Sequence, residues 1–200
     1  MSLLNTMKSA IELTDQWIGN PTASAYPSEV DAYFPTQSMQ AAQAEIKSWP
    51  VYKPTALIEL SDIAKQAGVA QVLYKDESTR FGLGSFKALG GAYAVLKYLA
   101  SQVGGQLGRD VTLESIRSGD YKARVGSMTI TTATDGNHGR SVAWGATLAG
   151  CQCRIYIHKD VSAGREAAMS ELGAKVIRID GNYDQSVNSA LKRLRKTDGR

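Results

Sequence analysis

The sequence predicts an α/β protein whose parallel strands are covered by helices on both faces. Three observations carry that reading. From Ala70 onward, short runs rich in β-branched and aromatic residues alternate with longer runs of helical period. Short turns, several of them bearing glycine, separate the runs. The apolar fraction is 43% over 200 residues, enough to bury a core. Alternation of this kind is the pattern of βαβ units.

The opening stretch, Met1 to Trp17, carries Glu12 and Asp15 and lacks a long apolar centre, so it does not read as a signal peptide. Asn20 to Pro35 reads as a proline-punctuated loop, and Ser38 to Trp49 as a helix ended by Pro50. A strand is expected over Ala70 to Asp76 and a helix from Ser85 to about Ser101. Between Gly104 and Gly126 the rhythm breaks, with Thr112 to Ser115 as a capping box that opens a short helix. Strands then follow over Ser127 to Thr134, Cys153 to His158 and Lys175 to Asp180. Helices follow each of them, over Asn137 to Gly150, Ser162 to Gly173 and Tyr183 to Lys196. In the last helix Val187, Ala190, Leu191 and Leu194 stand at i, i+3, i+4 and i+7.

Composition narrows the function classes. The net charge is +4, and the densest basic run, Leu191 to Arg200, has no aromatic residue interleaved. It reads as the solvated face of a helix and not as a nucleic-acid surface. No run of ~18 apolar residues suggests a membrane span. Cys151 and Cys153 are poorly placed to bond each other, and Cys-x-Cys-x4-His with His158 lacks a fourth metal ligand. A reduced, cytoplasmic protein without a metal is expected.

Two stretches could carry chemistry. In "RFGLGSFKALGG", Lys87 stands where a glycine-bearing loop turns into a helix. With Ser85 as the cap, Lys87 falls in the first turn, where a cation is disfavoured by ~0.3–1 kcal/mol. The same field favours a neutral, nucleophilic amine. A phosphate-loop reading fails because Ala88 follows the lysine, and a dinucleotide fingerprint fails because Lys87 occupies the third glycine position. In "TTATDGNHGRSVAWGA" a strand ends, a polar turn follows and a helix begins. Asp135 or Asn137 could cap that helix. The turn also lies beyond the carboxyl end of a parallel strand, where N–H groups at a helix start can receive a carboxylate.

Taken in order, "YKDEST", "SFKALGG", "TATDGNHG" and "LGAKVIRIDGNYDQSV" resemble the fold type II pyridoxal-phosphate enzymes of the tryptophan-synthase-β type. That group includes threonine dehydratases, cysteine synthases and serine racemases. The resemblance runs from about Tyr52 to the end. "DESTRFGLGSFKALGGAYA" and "TATDGNHGRSVAWGA" resemble one branch in particular, diaminopropionate ammonia-lyase, in which an aspartate precedes Gly-Asn-His as Asp135 does here.

The resemblance implies roles. Lys87 would hold pyridoxal 5′-phosphate as a Schiff base, Phe86 would pack near the ring, and Asn137 would bond the 3′-oxygen. Thr134, Gly136, His138 and Gly139 would form the substrate-carboxylate turn. Asp135 would act as a base opposite Lys87 or pair with a cationic β-amino group. The implied reaction is α,β-elimination of ammonia from 2,3-diaminopropionate, giving pyruvate and ammonia. The alternatives are a dehydratase-type reaction on a serine- or threonine-like hydroxy amino acid, or a non-catalytic remnant that serves as a binding partner. The implied architecture has two domains: residues 1–126 in the larger, with the Schiff-base lysine, and residues 127–200 in the smaller, with the carboxylate turn. A homodimer taking a small amino-acid substrate is implied. Family members run to roughly twice this length, and their phosphate loop lies downstream. The sequence is therefore expected to be an N-terminal half or a truncated form.

Overall fold

The computed structural model describes residue 22 and residues 28–197. The opening stretch to Trp17 and the last three residues of the basic run lie outside them. By backbone contacts the chain divides into residues 1–40 and 41–200. In the first unit the expected loop contains a helix, α1 (Ser28–Tyr33). Helix α2 (Thr36–Lys47) begins there and continues into the second unit.

The second unit holds two sheets. Strands β1 (Leu57–Glu59) and β2 (Leu73–Lys75) pair antiparallel, with Ile58 opposite Tyr74. Helix α3 (Ser61–Ala67) lies between them in sequence and ends on Gly68. The sequence reading found β2 but not its partner β1. After a 3-10 turn at Arg80–Gly82 comes the long helix α4 (Lys87–Leu107). Its buried residues, Ala88, Ala92, Val95, Leu96, Leu99, Ala100 and Val103, form one helical stripe. The helix outruns its expected end because the fully buried Val103 extends the apolar stripe beyond Ser101. It stops at Gly108, whose left-handed backbone (φ 64°) caps it. Short helices α5 (Leu113–Ser118) and α6 (Lys122–Val125) fill the irregular interval. Thr112 caps α5 by accepting from the Ser115 N–H at 3.1 Å.

The remaining chain follows the predicted alternation. Strands β3 (Thr129–Ala133), β4 (Gln152–Ile157) and β5 (Lys175–Arg178) form a parallel sheet in that order. Between them run α7 (Asn137–Ala149) and α8 (Ala163–Ser170), and α9 (Tyr183–Thr197) follows β5. Both α7 and α9 pack over β3 and β4, so they cover opposite faces. On the α7 side, Cys153, Ile155 and Ile157 join the core of α4 and α7. Tyr156, between them on β4, is buried too. Cys151 and Cys153 are free thiols, and burial pushes them up to about 11 and about 12. Among the described residues no helix is long and apolar enough to cross a membrane, and no group of three or more His, Cys, Asp or Glu could hold a metal ion.

Candidate active site

Lys87 is delivered by a loop fixed at several points. Arg80, 5% exposed, donates from Nε to Glu77 Oε2 at 2.7 Å and from Nη2 to Glu77 Oε1 at 2.9 Å. Its remaining donors reach the Lys53 carbonyl and Thr55 Oγ1, both at 2.9 Å. The Arg80–Glu77 pair is fork-to-fork, and the bonds to Lys53 and Thr55 tie the loop to the strand entry up to 27 residues earlier. The hydrogen bonds from Arg80, joined by one from Thr55, hold the Glu77 carboxyl down at about 2. Beyond the pair the backbone enters the left-handed region at Phe81 (φ 51°), Gly82 and Gly84. For the glycines this is free, but for Phe81 it costs about 1–2 kcal/mol. The Phe81 ring is stacked on Trp144 of α7, with centroids 4.8 Å apart, and lies 5.5 Å from Trp49. That aromatic packing offsets the strain.

The loop ends with Ser85, whose Oγ accepts from the Lys87 N–H at 3.2 Å. Phe86 holds the cap position, and Lys87 is the first residue of α4. Both side chains are exposed, and Lys87 Nζ lies 4.9 Å from the centroid of the Phe86 ring. Below them α4 crosses α7 closely. Ser141 Oγ donates to the Lys87 carbonyl at 2.8 Å.

The second predicted stretch opens α7. Thr134 is buried at the end of β3, its N–H donating to the Tyr156 carbonyl. Asp135 is exposed, and neither it nor Asn137 caps the helix, because no side-chain cap bond exists there. The Arg140 N–H donates to the Gly136 carbonyl. The N–H groups of Asn137, His138 and Gly139 therefore precede the helix ladder and point outward from its start. Gly139 is buried for a packing reason: a Cβ there would run into Thr134 Cγ2 and the Met169 sulfur.

The turn faces two ways. Asp135, Gly136 and Asn137 line a cavity of about 490 Å³ with Arg140, Ser162 and Arg165. His138 instead lines an apolar groove of about 380 Å³ with Gly91, Tyr98 and Thr131. Lys87 and Phe86 line neither of the two. A larger cavity, about 750 Å³, lies at the far end of α4 near Lys97 and Gly104 and contains none of the predicted residues. Sequence reasoning missed Arg140, Ser162 and Arg165. Arg140 Nε is buried without a hydrogen-bond partner among the described residues. A signal for them existed: Arg140 follows Asn137 by three residues, and Ser162 opens the next turn at the same edge of the sheet.

These residues fit a pyridoxal phosphate ring. An exposed primary amine stands at a helix start beside an aromatic face, and the neighbouring helix presents uncommitted N–H donors. The model of the pyridoxal-phosphate dependent enzyme family matches residues 49–200. Diaminopropionate ammonia-lyase of Escherichia coli strain K12 is 42% identical over 142 residues, which are 70% of this chain and 34% of that protein. The enzyme of that name from Salmonella typhimurium is 37% identical over 153 residues, 76% of this chain and 37% of the relative. The crystal structure of holo diaminopropionate ammonia lyase from Escherichia coli superposes with a TM-score of 0.71 at 34% identity, covering 82% of this chain and 41% of that one. The chain thus spans little more than a third of the curated relatives it matches.

Proposed function

Since the chain belongs to the pyridoxal-phosphate-dependent enzymes, with the fold of their type II members, we propose that it forms part of a 2,3-diaminopropionate ammonia-lyase. The reaction is α,β-elimination of ammonia from the diamino acid, with pyruvate and ammonia as products. The observation that carries this reading is the direct packing of the two motif-bearing helices, one beginning at Lys87 and the other at Asn137.

Lys87 would bind the cofactor covalently through Nζ, Phe86 would lie beside its ring, and Asn137 would donate to the ring oxygen. When bound, the cofactor supplies an electron sink for the charge left as Cα loses its proton. The Lys87 amine takes that proton on one face. The N–H groups of residues 136–139 receive the carboxylate, with Thr134 and His138 bordering them. Asp135, exposed and not engaged as a cap, acts on the opposite face or pairs with the β-ammonium group. On this reading residues 1–126 belong to the larger domain and 127–200 to the smaller. The working protein is a cytoplasmic homodimer, and the unpaired thiols support a reducing compartment.

The test is direct. The chain is incubated with pyridoxal phosphate, reduced with borohydride and digested. The pyridoxyl group is expected on Lys87, and Lys87→Ala is expected to lose it. Mapping to a different lysine would overturn the assignment.

A further inference from the structure

We propose that Ser141 is a positioning residue for Lys87, a role that rests on the reading of Lys87 as the cofactor-binding lysine. Its hydroxyl donates to the Lys87 carbonyl at 2.8 Å across 54 residues of sequence. Ser141 is 1% exposed, so no water replaces that bond. On the other side of the same residue, Ser85 Oγ accepts from the Lys87 N–H. Both backbone polar groups of Lys87 are therefore held by serines, while the side chain remains exposed.

The packing around this bond is tight. A Cβ added at Gly91 would collide with Ser141 Oγ, and one added at Gly145 would stand 2.7 Å from Ala92 Cα. Ser141 and Gly145 are four residues apart and lie on one face of α7. Small residues at both contacts let the two helix backbones approach. Helix α7 also carries Trp144, which stacks on Phe81 in the loop before Lys87. One helix thus holds the lysine backbone and the loop that delivers it, and its own first turn supplies Asn137.

Ser141 follows Asn137 by four residues, just over one helical turn and a rise of about 6 Å. The serine fixes how far the Lys87 backbone stands from the turn that would hold the substrate. A buried hydroxyl needs a partner in any case, and here that partner is the backbone of Lys87 itself. Misplacing a reacting group by ~1 Å costs up to ~10² in rate.

The experiment uses the 200-residue chain with pyridoxal phosphate as the probe. Adducts are reduced by borohydride after short incubations, and the pyridoxyl label on Lys87 is measured against the label on the other lysines of the same molecules. Those lysines are an internal reference that a general loss of stability would not selectively change. In Ser141→Ala we expect the relative labelling rate of Lys87 to fall by about tenfold with melting nearly unchanged. Gly91→Ala, which pushes the hydroxyl off the carbonyl, should give the same loss, and serves as the second variant should Ser141→Ala misfold. If the parent labels Lys87 and these variants, still folded, do so at the parent's relative rate, the positioning role is wrong. If the parent labels another lysine, the assignment of Lys87 fails instead.

Discussion

The loop before Lys87 and the turn before α7 are built in opposite ways. The loop is closed: Arg80 is buried and hydrogen-bonded through all three nitrogens, and Phe81 packs against two tryptophans. The turn is open: Asp135 is exposed and, among the described residues, no side chain caps the helix and Arg140 Nε has no hydrogen-bond partner. On the proposed reading of Lys87, a reactive amine works best at one fixed point, which a loop rich in internal bonds supplies. A turn that receives a ligand keeps its donors uncommitted until the ligand arrives. The contrast predicts that substitutions in the loop will act on folding and substitutions in the turn on chemistry.

Arg80→Ala should break the contrast most severely. It leaves Glu77 partly buried and without its cation, a change that costs about 3–5 kcal/mol. Denaturant unfolding of the variant checks this, and a loss below about 1 kcal/mol would show the loop to be held by its aromatic contacts instead.

Acid should produce a smaller effect at the same place. Glu77 ordinarily titrates near 4.5 and is held at about 2 in the folded chain. Its contribution is fully present above pH 4.5 and is lost as the pH falls toward 2. About 1.5–3 kcal/mol of stability, the scale of a hydrogen bond to a charged group, should disappear across that window. In Glu77→Gln the acid limb of the stability profile should flatten by a similar amount.

The turn should scarcely register on the stability scale. Asp135→Asn removes a charge from an exposed, uncapped position, so melting should correspond to a change within ±0.5 kcal/mol. In the proposed lyase the same substitution should lower turnover by about 10²–10⁴ for at least one enantiomer of diaminopropionate. Unchanged rates with both enantiomers would remove Asp135 from the chemistry.

The parallel sheet and its helices were legible because their signals are local. Val187, Ala190, Leu191 and Leu194 mark one face of α9, and Gly150 stops α7. What escaped was non-local. Strand β1 is three exposed residues long and is defined by its pairing with β2, not by any alternation of its own. Helix α1 lies in a stretch where prolines dominate the local signal. The Arg80 clamp joins residues up to 27 apart, and the Ser141 bond joins residues 54 apart. No spacing rule connects such positions. Lys87 and the Asn137 turn were found as motifs, but the bond tying them together became visible only when α4 and α7 were packed.

The two thiols have a consequence for observing the chain in solution. Cys153 sits on the central strand, 4% exposed, with its thiolate disfavoured by burial until about pH 12. Thiolates, not thiols, attack an alkylating reagent, so at neutral pH this sulfur reacts only in molecules whose sheet has opened. Cys151, just before the strand, is less enclosed. The lag between modification of the first and the second is therefore a native stopwatch. It times how often the strand edge frays against how often the whole sheet comes apart, and no dye or engineered reporter is required.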